Sequence, residues 1–198
     1  MTHYEWKMIP LQTVSLRGDV VALRPLARDD EDALGDYFLG LSPQTRRVYA
    51  PHPFDRATAA AICGALDTPE GNCCLRLVAV VGGKIVGYFI VYLGLHEADR
   101  LRRYRDMDPG RTCTLAPSVA DEWQNRGLGS RLMVYAKDCA RIFRRKTMVL
   151  WGGVRASNTR AVHFYHKCGF RKVGDFLLTV TEASGPEQIN NLDMATEL

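Results

Sequence analysis

An α/β fold in one domain is predicted by three observations on this 198-residue chain. Short apolar runs typical of strands alternate with segments whose apolar residues recur at helical spacing. Two of the strand-like runs flank Gly82-Gly83-Lys84, a strong hairpin signal. With 46% hydrophobic residues, the chain can bury one core, and its length leaves little room for a second domain.

The first half of the chain predicts a strand, helices and a hairpin. Residues 1–14 show no periodicity and are expected to be a loosely packed lead-in, which places the domain at 15–198. Ser42-Pro43 predicts a helix start, because serine caps a helix and proline suits its first position. The predicted elements are a strand at Val20–Leu23, helices at Asp29–Leu39, from Ser42 and at Arg56–Leu66, and hairpin strands at Cys74–Val81 and Ile85–Leu93.

The second half predicts two strand–helix units and a closing strand pair. The polar, arginine-rich stretch from Gly94 to Arg111 is expected to be a long loop or to contain a short helix. After it come a strand at Thr112–Val119, a helix from Leu128, an apolar run at Met148–Val154, a helix capped by Ser157 or Asn158 and ended by Gly169, and strands at Leu177–Val180 and Ile189–Ala195.

The turn Gln124-Asn125-Arg126-Gly127-Leu128-Gly129 is the most informative stretch, because it joins a predicted strand to a helix start. Glycine lets the backbone approach a ligand closely, and the unpaired first-turn N–H groups of a helix favour an anion. The turn therefore predicts a phosphate cradle, with an ordinary helix start as the alternative. It lacks the third glycine of the dinucleotide fingerprint and the Gly-Lys-Ser/Thr of a P-loop.

A second segment, Asn158 to Phe170, follows the Met148 run and contains Asn158, Ala161, Phe164-Tyr165 and Gly169-Phe170. Together with the glycine turn, it resembles the signature of the GNAT superfamily of acyl-CoA N-acyltransferases. That signature is Gln/Arg-x-x-Gly-x-Gly/Ala, followed by Asn…Ala…Phe-Tyr…Gly-Phe. The resemblance implies a mixed central sheet of about six to seven strands, splayed at the acetyl-CoA site and flanked by helices. It also implies direct acetyl transfer from acetyl-CoA, as co-substrate, to a primary amine of a small molecule or of a protein.

The resemblance further implies which residues contact acetyl-CoA. Ser118, Val119 and Ala120 would lie beside the pantetheine arm, with backbone N–H groups holding the thioester oxygen. Asn158 would orient the pantetheine amides, with a plain helix cap as its other role, and Tyr165 would be the general acid. The pyrophosphate would be held by the turn and the first helical residues, namely Gln124, Asn125, Arg126, Gly127, Leu128, Gly129 and Ser130.

The general base is left open among four residues, of which Glu122 is the first choice and His96, Glu97 and His52 are the alternatives. Residues 119–124 and 40–43 also resemble bacterial protein-lysine acetyltransferase domains. Those domains carry a glutamate on the strand before the cradle, where this chain has Thr114. The amine acceptor is expected to bind at Tyr49, His52 and Phe54 and at the stretch from Leu95 to Asp108.

Composition favours a cytoplasmic enzyme without a metal. The net charge of +4 is mild, and the arginine clusters at 100–105 and 141–146 are interpreted as solvated faces rather than nucleic-acid sites. No apolar run is long enough for a membrane span, and the six cysteines lack zinc spacing. A homodimer is possible by analogy with the family. The alternatives are a catalytically silent acyl-CoA-binding module and a nucleic-acid binder.

Overall fold

The computed structural model describes residues 8–68, 71–102, 104–182 and 185–198. Within these ranges it contains nine strands and six α-helices. The strands are β1 (Gln12–Leu16), β2 (Asp19–Pro25), β3 (Cys74–Val81), β4 (Lys84–Tyr92), β5 (Thr112–Val119), β6 (Thr147–Leu150), β7 (Val154–Arg155), β8 (Arg171–Glu182) and β9 (Gly185–Glu197). The helices are α1 (Glu31–Gly40), α2 (Pro43–Val48), α3 (Arg56–Gly64), α4 (Glu97–Arg100), α5 (Leu128–Ile142) and α6 (Thr159–Lys167).

All nine strands form one mixed sheet, in the order β1-β2-β3-β4-β5-β6-β9-β7, with β8 pairing to β9. The β5–β6 pair is parallel, and the other neighbours are antiparallel. The predicted α/β fold with a mixed sheet is confirmed. The sheet has more strands than the expected six to seven, because the short strands β1 and β7 also join it.

The first strand lies partly inside the stretch that the sequence predicted to be a lead-in. β1 begins at Gln12 and pairs with β2 through the register Leu16↔Asp19. The turn between them places Arg17 (φ 52°) and Gly18 (φ 93°) in the left-handed region that two-residue hairpins require. Arginine is uncommon there, so the sequence carried no hairpin signal. Residues 1–7 of the predicted lead-in lie outside the described ranges.

The two faces of the sheet are covered by different helices. Gly87 of β4 faces α5, because a Cβ built on it would lie 2.6 Å from a methyl carbon of Leu132. The next residue, Tyr88, faces α1, with its ring centroid 5.6 Å from that of Phe38. Since successive strand residues point to opposite faces, α1 and α5 cover opposite sides of the sheet.

The sheet splays between β5 and β6. Their parallel pairing ends at Leu115↔Leu150, and the amide of Trp151 makes the last bond, 2.9 Å to the carbonyl of Leu115. β5 continues along β4 as far as Gly87↔Val119. On the other side of β5, the chain leaves the sheet after β6 and enters the turn that leads to β7. The expected splay is therefore confirmed, and it opens a gap beside the last four residues of β5.

A carboxylate ties α2 to the segment that follows β5. Asp121 accepts hydrogen bonds from the Ser42 amide (3.0 Å), the Ser42 hydroxyl (2.9 Å) and the buried Thr45 hydroxyl (2.7 Å). Burial pushes the pKa of Asp121 up, but these hydrogen bonds outweigh it, so that pKa lies below the ordinary value for aspartate. The ionised carboxylate of Asp121 is therefore more stable in the folded protein than in the unfolded chain.

Asp121→Ala is expected to lower the free energy of unfolding by about 2 kcal/mol, because it removes a charged acceptor and leaves Thr45 unpaired. Urea denaturation at neutral pH measures this, and the exposed neighbour Glu122→Ala is the matched control, expected within about 0.5 kcal/mol of the parent. Because the folded-state pKa is depressed, the contribution is present above the unfolded pKa and is lost as pH falls through the folded one. A difference between parent and variant that does not shrink between neutral pH and pH about 2 would contradict this account.

Four of the six cysteines (Cys63, Cys74, Cys113 and Cys139) are buried, as their apolar surroundings in the sequence predicted. Among the residues with described placement, no helix has both the length and the apolarity that crossing a membrane requires.

Candidate functional site

A cavity of about 930 Å³ occupies the gap between β5 and β6. Its volume lies within the range of small-molecule sites. Its walls come from the glycine turn, the first turns of α5 and α6, the end of β5, the β6–β7 turn and the end of α2. Many residues predicted from the sequence lie together in this wall: Ser118, Val119, Gln124, Asn125, Gly127, Gly129, Ser130, Asn158 and Tyr165, as well as Tyr49.

The glycine turn presents unpaired amides at the start of α5. Gly127 is the N-cap residue, with φ 90°, and no side chain caps the helix. The first bond within the helix runs from the amide of Arg131 to the carbonyl of Gly127, at 3.2 Å. The amides of residues 128–130 precede this bond and have no helical acceptor. The side chain of Leu128 is fully buried, so this residue offers the site its backbone alone.

Two other predicted residues do not line the cavity. The guanidinium of Arg126 lies over the Trp123 ring, 5.5 Å from its centroid. The amide of Ala120 donates to the carbonyl of Val86 at 3.0 Å, so the expected contact of this amide with a thioester oxygen is not available. The reason is that β5 is still paired with its neighbour at this position.

The alternation of ladder bonds identifies the strand amide that faces the gap. In an antiparallel pair, residues alternate between bonding across the pair and pointing away from it. Since Ala120 bonds toward β4, Ser118 does so too, and residues 117 and 119 face the other way. Residue 117 is proline and has no N–H, so the N–H directed to the gap is that of Val119. The carbonyl of Val119 is held by the side-chain amide of Gln124 at 3.0 Å.

Tyr165 and Asn158 project from α6. The Oδ1 atom of Asn158 caps the helix by accepting from the amide of Ala161 at 3.2 Å, which leaves its NH₂ group for a ligand. Tyr165 is 9% exposed, between the rings of Phe164 and Phe170, and its side chain is part of the cavity wall rather than of a sealed core. Burial raises the pKa of the Tyr165 hydroxyl, so it stays protonated at neutral pH.

The three residues expected to bind the acceptor are not equivalent. Tyr49 lines the cavity, and its hydroxyl donates to the carbonyl of Ala116 at 3.4 Å. His52 and Phe54 are not part of the wall. The ring of His52 packs against Phe38, Phe54 and Tyr88, at 4.9, 5.5 and 5.9 Å between centroids, and Phe54 stacks on Tyr49 at 5.8 Å. These two residues support Tyr49 from behind, because their half-buried rings pack against each other and Phe54 stacks on Tyr49.

The candidates for the general base are also separated by the fold. Glu122, on a short 3₁₀ turn, and Glu97, on α4, are exposed and do not line the cavity. His96 does line it. Its amide donates to the hydroxyl of Thr114 at 3.3 Å, and that hydroxyl donates to the carbonyl of Gly94 at 2.8 Å. Thr114, which stands where the related domains have glutamate, thus fixes the loop that carries His96.

The ring of His96 lies 4.4 Å from that of Trp151, between centroids. Among the described residues, its buried Nδ1 atom has no hydrogen-bond partner. Asp99, which is fully buried, lies near His96. Its Oδ1 accepts from Arg102 at 2.5 Å and from the amide of Gly152 at 3.1 Å, which joins the loop to the β6–β7 turn.

Among the cavity residues that were not predicted from the sequence are Arg47, Trp151 and Arg155. Arg47 lies at the end of α2, Trp151 in the β6–β7 turn and Arg155 in the two-residue strand β7. Neither the turn nor β7 has a periodic pattern that would single out its residues. Their role follows from the fold, which brings β7 and the end of α2 to opposite sides of the gap.

Comparisons with known proteins agree with this architecture. The profile of the acetyltransferase (GNAT) family matches residues 37–170, which is more than half of the chain. No curated protein gives a significant match.

Three solved structures share the fold at low identity. The GNAT domain of S. lividans PAT has a TM-score of 0.69 at 16% identity, covering 100% of this chain and 99% of that one. The yncA protein from Salmonella typhimurium, solved with acetyl-CoA, has a TM-score of 0.66 at 17% identity, with coverages of 90% and 94%. A spermidine N-acetyltransferase chimera from Vibrio cholerae and hSSAT has a TM-score of 0.65 at 18% identity, with coverages of 89% and 95%. The chain belongs to the GNAT family and is an acyl-CoA N-acyltransferase.

Proposed function

We propose that the protein transfers an acetyl group from acetyl-CoA to a primary amine by direct attack. The observation that carries this proposal is that one cavity combines three features. These are the unpaired amides at the start of α5, the free strand amide of Val119 and the hydroxyl of Tyr165. An uncapped helix start is suited to the pyrophosphate, which is the anionic part of acetyl-CoA.

Each of these groups has a distinct role. The amides of residues 128–130 hold the pyrophosphate, and the free NH₂ group of Asn158 orients the pantetheine amides. Acetyl-CoA, as the second substrate, supplies the acetyl group on a thioester. The N–H of Val119 donates to the oxygen of that thioester, where negative charge develops during attack, and one such donor contributes about 3 kcal/mol.

Proton transfers complete the reaction. A C–N bond forms, the C–S bond breaks, the amine loses a proton, and the departing sulfur gains one. An alkylammonium with a pKa of about 10.4 is mostly protonated at neutral pH, so a base has to accept its proton. We assign this role to His96 because, of the four candidates, it is the one whose ring lines the cavity. Tyr165 is the donor to the sulfur.

The experiment that tests the proposal measures free thiol release from acetyl-CoA in the presence of a panel of amines, with calorimetry of coenzyme A binding alongside. We expect saturable release that depends on the amine. If coenzyme A binds but no amine gives turnover, the proposal fails and the chain is a silent acyl-CoA-binding module instead.

Tyr165→Phe is expected to lower kcat by about 10- to 100-fold and to leave the Kd for coenzyme A within about threefold. The loss is at the lower end for general acid catalysis, because a thiolate is a good leaving group. Steady-state kinetics and calorimetry measure the two quantities. Phe164→Leu is the matched control for ring packing on the same helix. An unchanged kcat in Tyr165→Phe would remove this residue from the mechanism.

A further inference from the structure

We propose that the acceptor is a compact amine that carries both a carboxylate and an apolar group, as an aromatic α-amino acid does. This inference rests on the proposed acetyl transfer and names the substrate class for the same cavity. It concerns the acceptor half of the cavity, defined here as the part lined by Arg47, Tyr49, His96, Trp151, Arg155 and Leu178. The cofactor half is the part lined by the first turns of α5 and α6.

The charge of the cavity wall argues against a polycationic acceptor. Among the wall residues that the structure describes, four are arginine or lysine (Arg47, Arg155, Arg160 and Lys167), and none is aspartate or glutamate. A ligand with several ammonium groups would place its second charge in a field of the same sign, with no carboxylate in the wall to balance it. Polyamines and aminoglycosides are ligands of that kind.

Carboxylates close to the cavity are already engaged by protein groups. Glu187 lies 3.8 Å from the guanidinium of Arg47, and Asp99 and Asp193 share the guanidinium of Arg102 at 2.5 and 2.9 Å. Asp121 is held by Ser42 and Thr45. A second ammonium group would therefore find no carboxylate in the described wall, and these neighbouring carboxylates already have protein partners.

Arg155 is positioned to recognise an anionic group. Its Nη2 atom donates to the backbone carbonyl of Arg47 at 2.9 Å, so the side chain reaches from β7 across to the end of α2. This bond uses one donor of a guanidinium that has five. The remaining donors and the full positive charge are available for a carboxylate, which guanidinium binds through two parallel hydrogen bonds.

The rest of the acceptor half is apolar and aromatic. Trp151 is half-buried beside His96, and Tyr49 closes the side formed by α2. Leu178 on β8 lines the cavity and is 45% exposed, a large apolar side chain left open to water. An apolar group on the acceptor would cover this surface. The cavity of about 930 Å³ also has to hold the pantetheine arm, which favours a compact acceptor.

The test compares amines matched in shape and different in charge: L-phenylalanine, L-phenylalaninamide, 2-phenylethylamine, spermidine, kanamycin and a lysine-containing peptide. Thiol release from acetyl-CoA gives kcat/KM for each. We expect L-phenylalanine to exceed its amide and phenylethylamine by at least about tenfold, and spermidine and kanamycin by about 100-fold. The amine of the amide loses its proton more readily, so a preference for the acid reports recognition of the carboxylate.

Variants assign that recognition to one side chain. Arg155→Gln should reduce the ratio of acid to amide to about one, and Arg155→Lys, which keeps the charge, should retain part of it. Arg160→Gln, which removes an arginine from the cofactor half, should leave the ratio unchanged whatever it does to the KM for acetyl-CoA.

The outcomes separate this inference from the proposed function. If no amine releases thiol, the proposed function itself fails. If amines release thiol but the acid has no advantage over its amide, or if spermidine, kanamycin or the lysine peptide is the best acceptor, the acceptor class alone is wrong. An unchanged ratio in Arg155→Gln would also overturn it.

Discussion

Gly129→Val is expected to weaken coenzyme A binding by at least about 100-fold. A Cβ built on Gly129 would lie 3.3 and 3.4 Å from ring carbons of Phe164 and 3.8 Å from a methyl carbon of Val119. The Cβ atom itself therefore just fits, but the two methyl groups of valine would have to enter the space between α5, α6 and β5. In the proposed function, that space is where the pyrophosphate meets the unpaired amides, and losing two charge-assisted hydrogen bonds costs about 3 kcal/mol.

Calorimetry with coenzyme A measures the loss of affinity, and a smaller substitution at the same position tests its cause. Gly129→Ala should weaken binding by only a fewfold, since its contacts are tight but formed with a side chain. Gly64→Val is the matched control: Gly64 also lies in a helix, a Cβ there has nothing within 4 Å, and binding should be unchanged. If Gly129→Val remains folded, as judged by its circular dichroism, and binds coenzyme A like the parent, the cradle is not the pyrophosphate site.

Local sequence signals were sufficient for most of the fold. Gly82-Gly83 predicted the β3–β4 hairpin, and the Ser42-Pro43 helix start is confirmed by the bond from the amide of Thr45 to the Ser42 hydroxyl at 3.2 Å. These features depend on residues that are close in sequence, where turn and cap chemistry is specific. β1 and β7 were not predicted. The turn between β1 and β2 places an arginine in the left-handed region, where arginine is uncommon, and β7 has only two residues.

The cofactor half of the site was more predictable than the acceptor half, for a physical reason. A helix start that binds phosphate needs glycine and free amides within a few consecutive residues, so Gly127, Gly129 and Ser130 form a recognisable pattern. The acceptor half is assembled from α2, the loop before α4, the β6–β7 turn and β8. None of these segments has a sequence pattern that identifies which of its residues reach the site. His52 and Phe54 were predicted on the same grounds as Tyr49, as aromatic or imidazole side chains, although they pack behind it.

At position 114, where the related domains have glutamate and this chain has threonine, the proposed mechanism takes its base from another segment. Glutamate on this strand would carry the base directly, whereas threonine has no basic group. The hydroxyl of Thr114 instead binds both the carbonyl of Gly94 and the amide of His96. The loop is thereby held against β5, and an imidazole from a different element occupies the cavity wall.

His96→Gln is expected to lower kcat by about 100- to 1,000-fold, which is the range for the loss of a general base. Glutamine keeps much of the size of the ring and retains hydrogen-bonding atoms, but it cannot accept a proton at neutral pH. The KM for the amine should change by less than about threefold, and the Kd for coenzyme A should not change. His166→Gln is the matched control, because this histidine lies outside the cavity and contacts the carbonyl of Phe170.

Chemical rescue distinguishes a proton acceptor from a residue that only shapes the wall. His96→Ala removes the whole ring and leaves space beside the indole of Trp151, which lies 4.4 Å from the imidazole in the parent. Added imidazole should restore part of the lost kcat in a saturable manner, because a free base bound there can accept the proton of the amine. The same additive should have no effect on Tyr165→Phe, which lacks the acid. If His96→Ala keeps half or more of the parent kcat, or if imidazole restores both variants equally, His96 is not the base and the proton leaves through another group of the cavity.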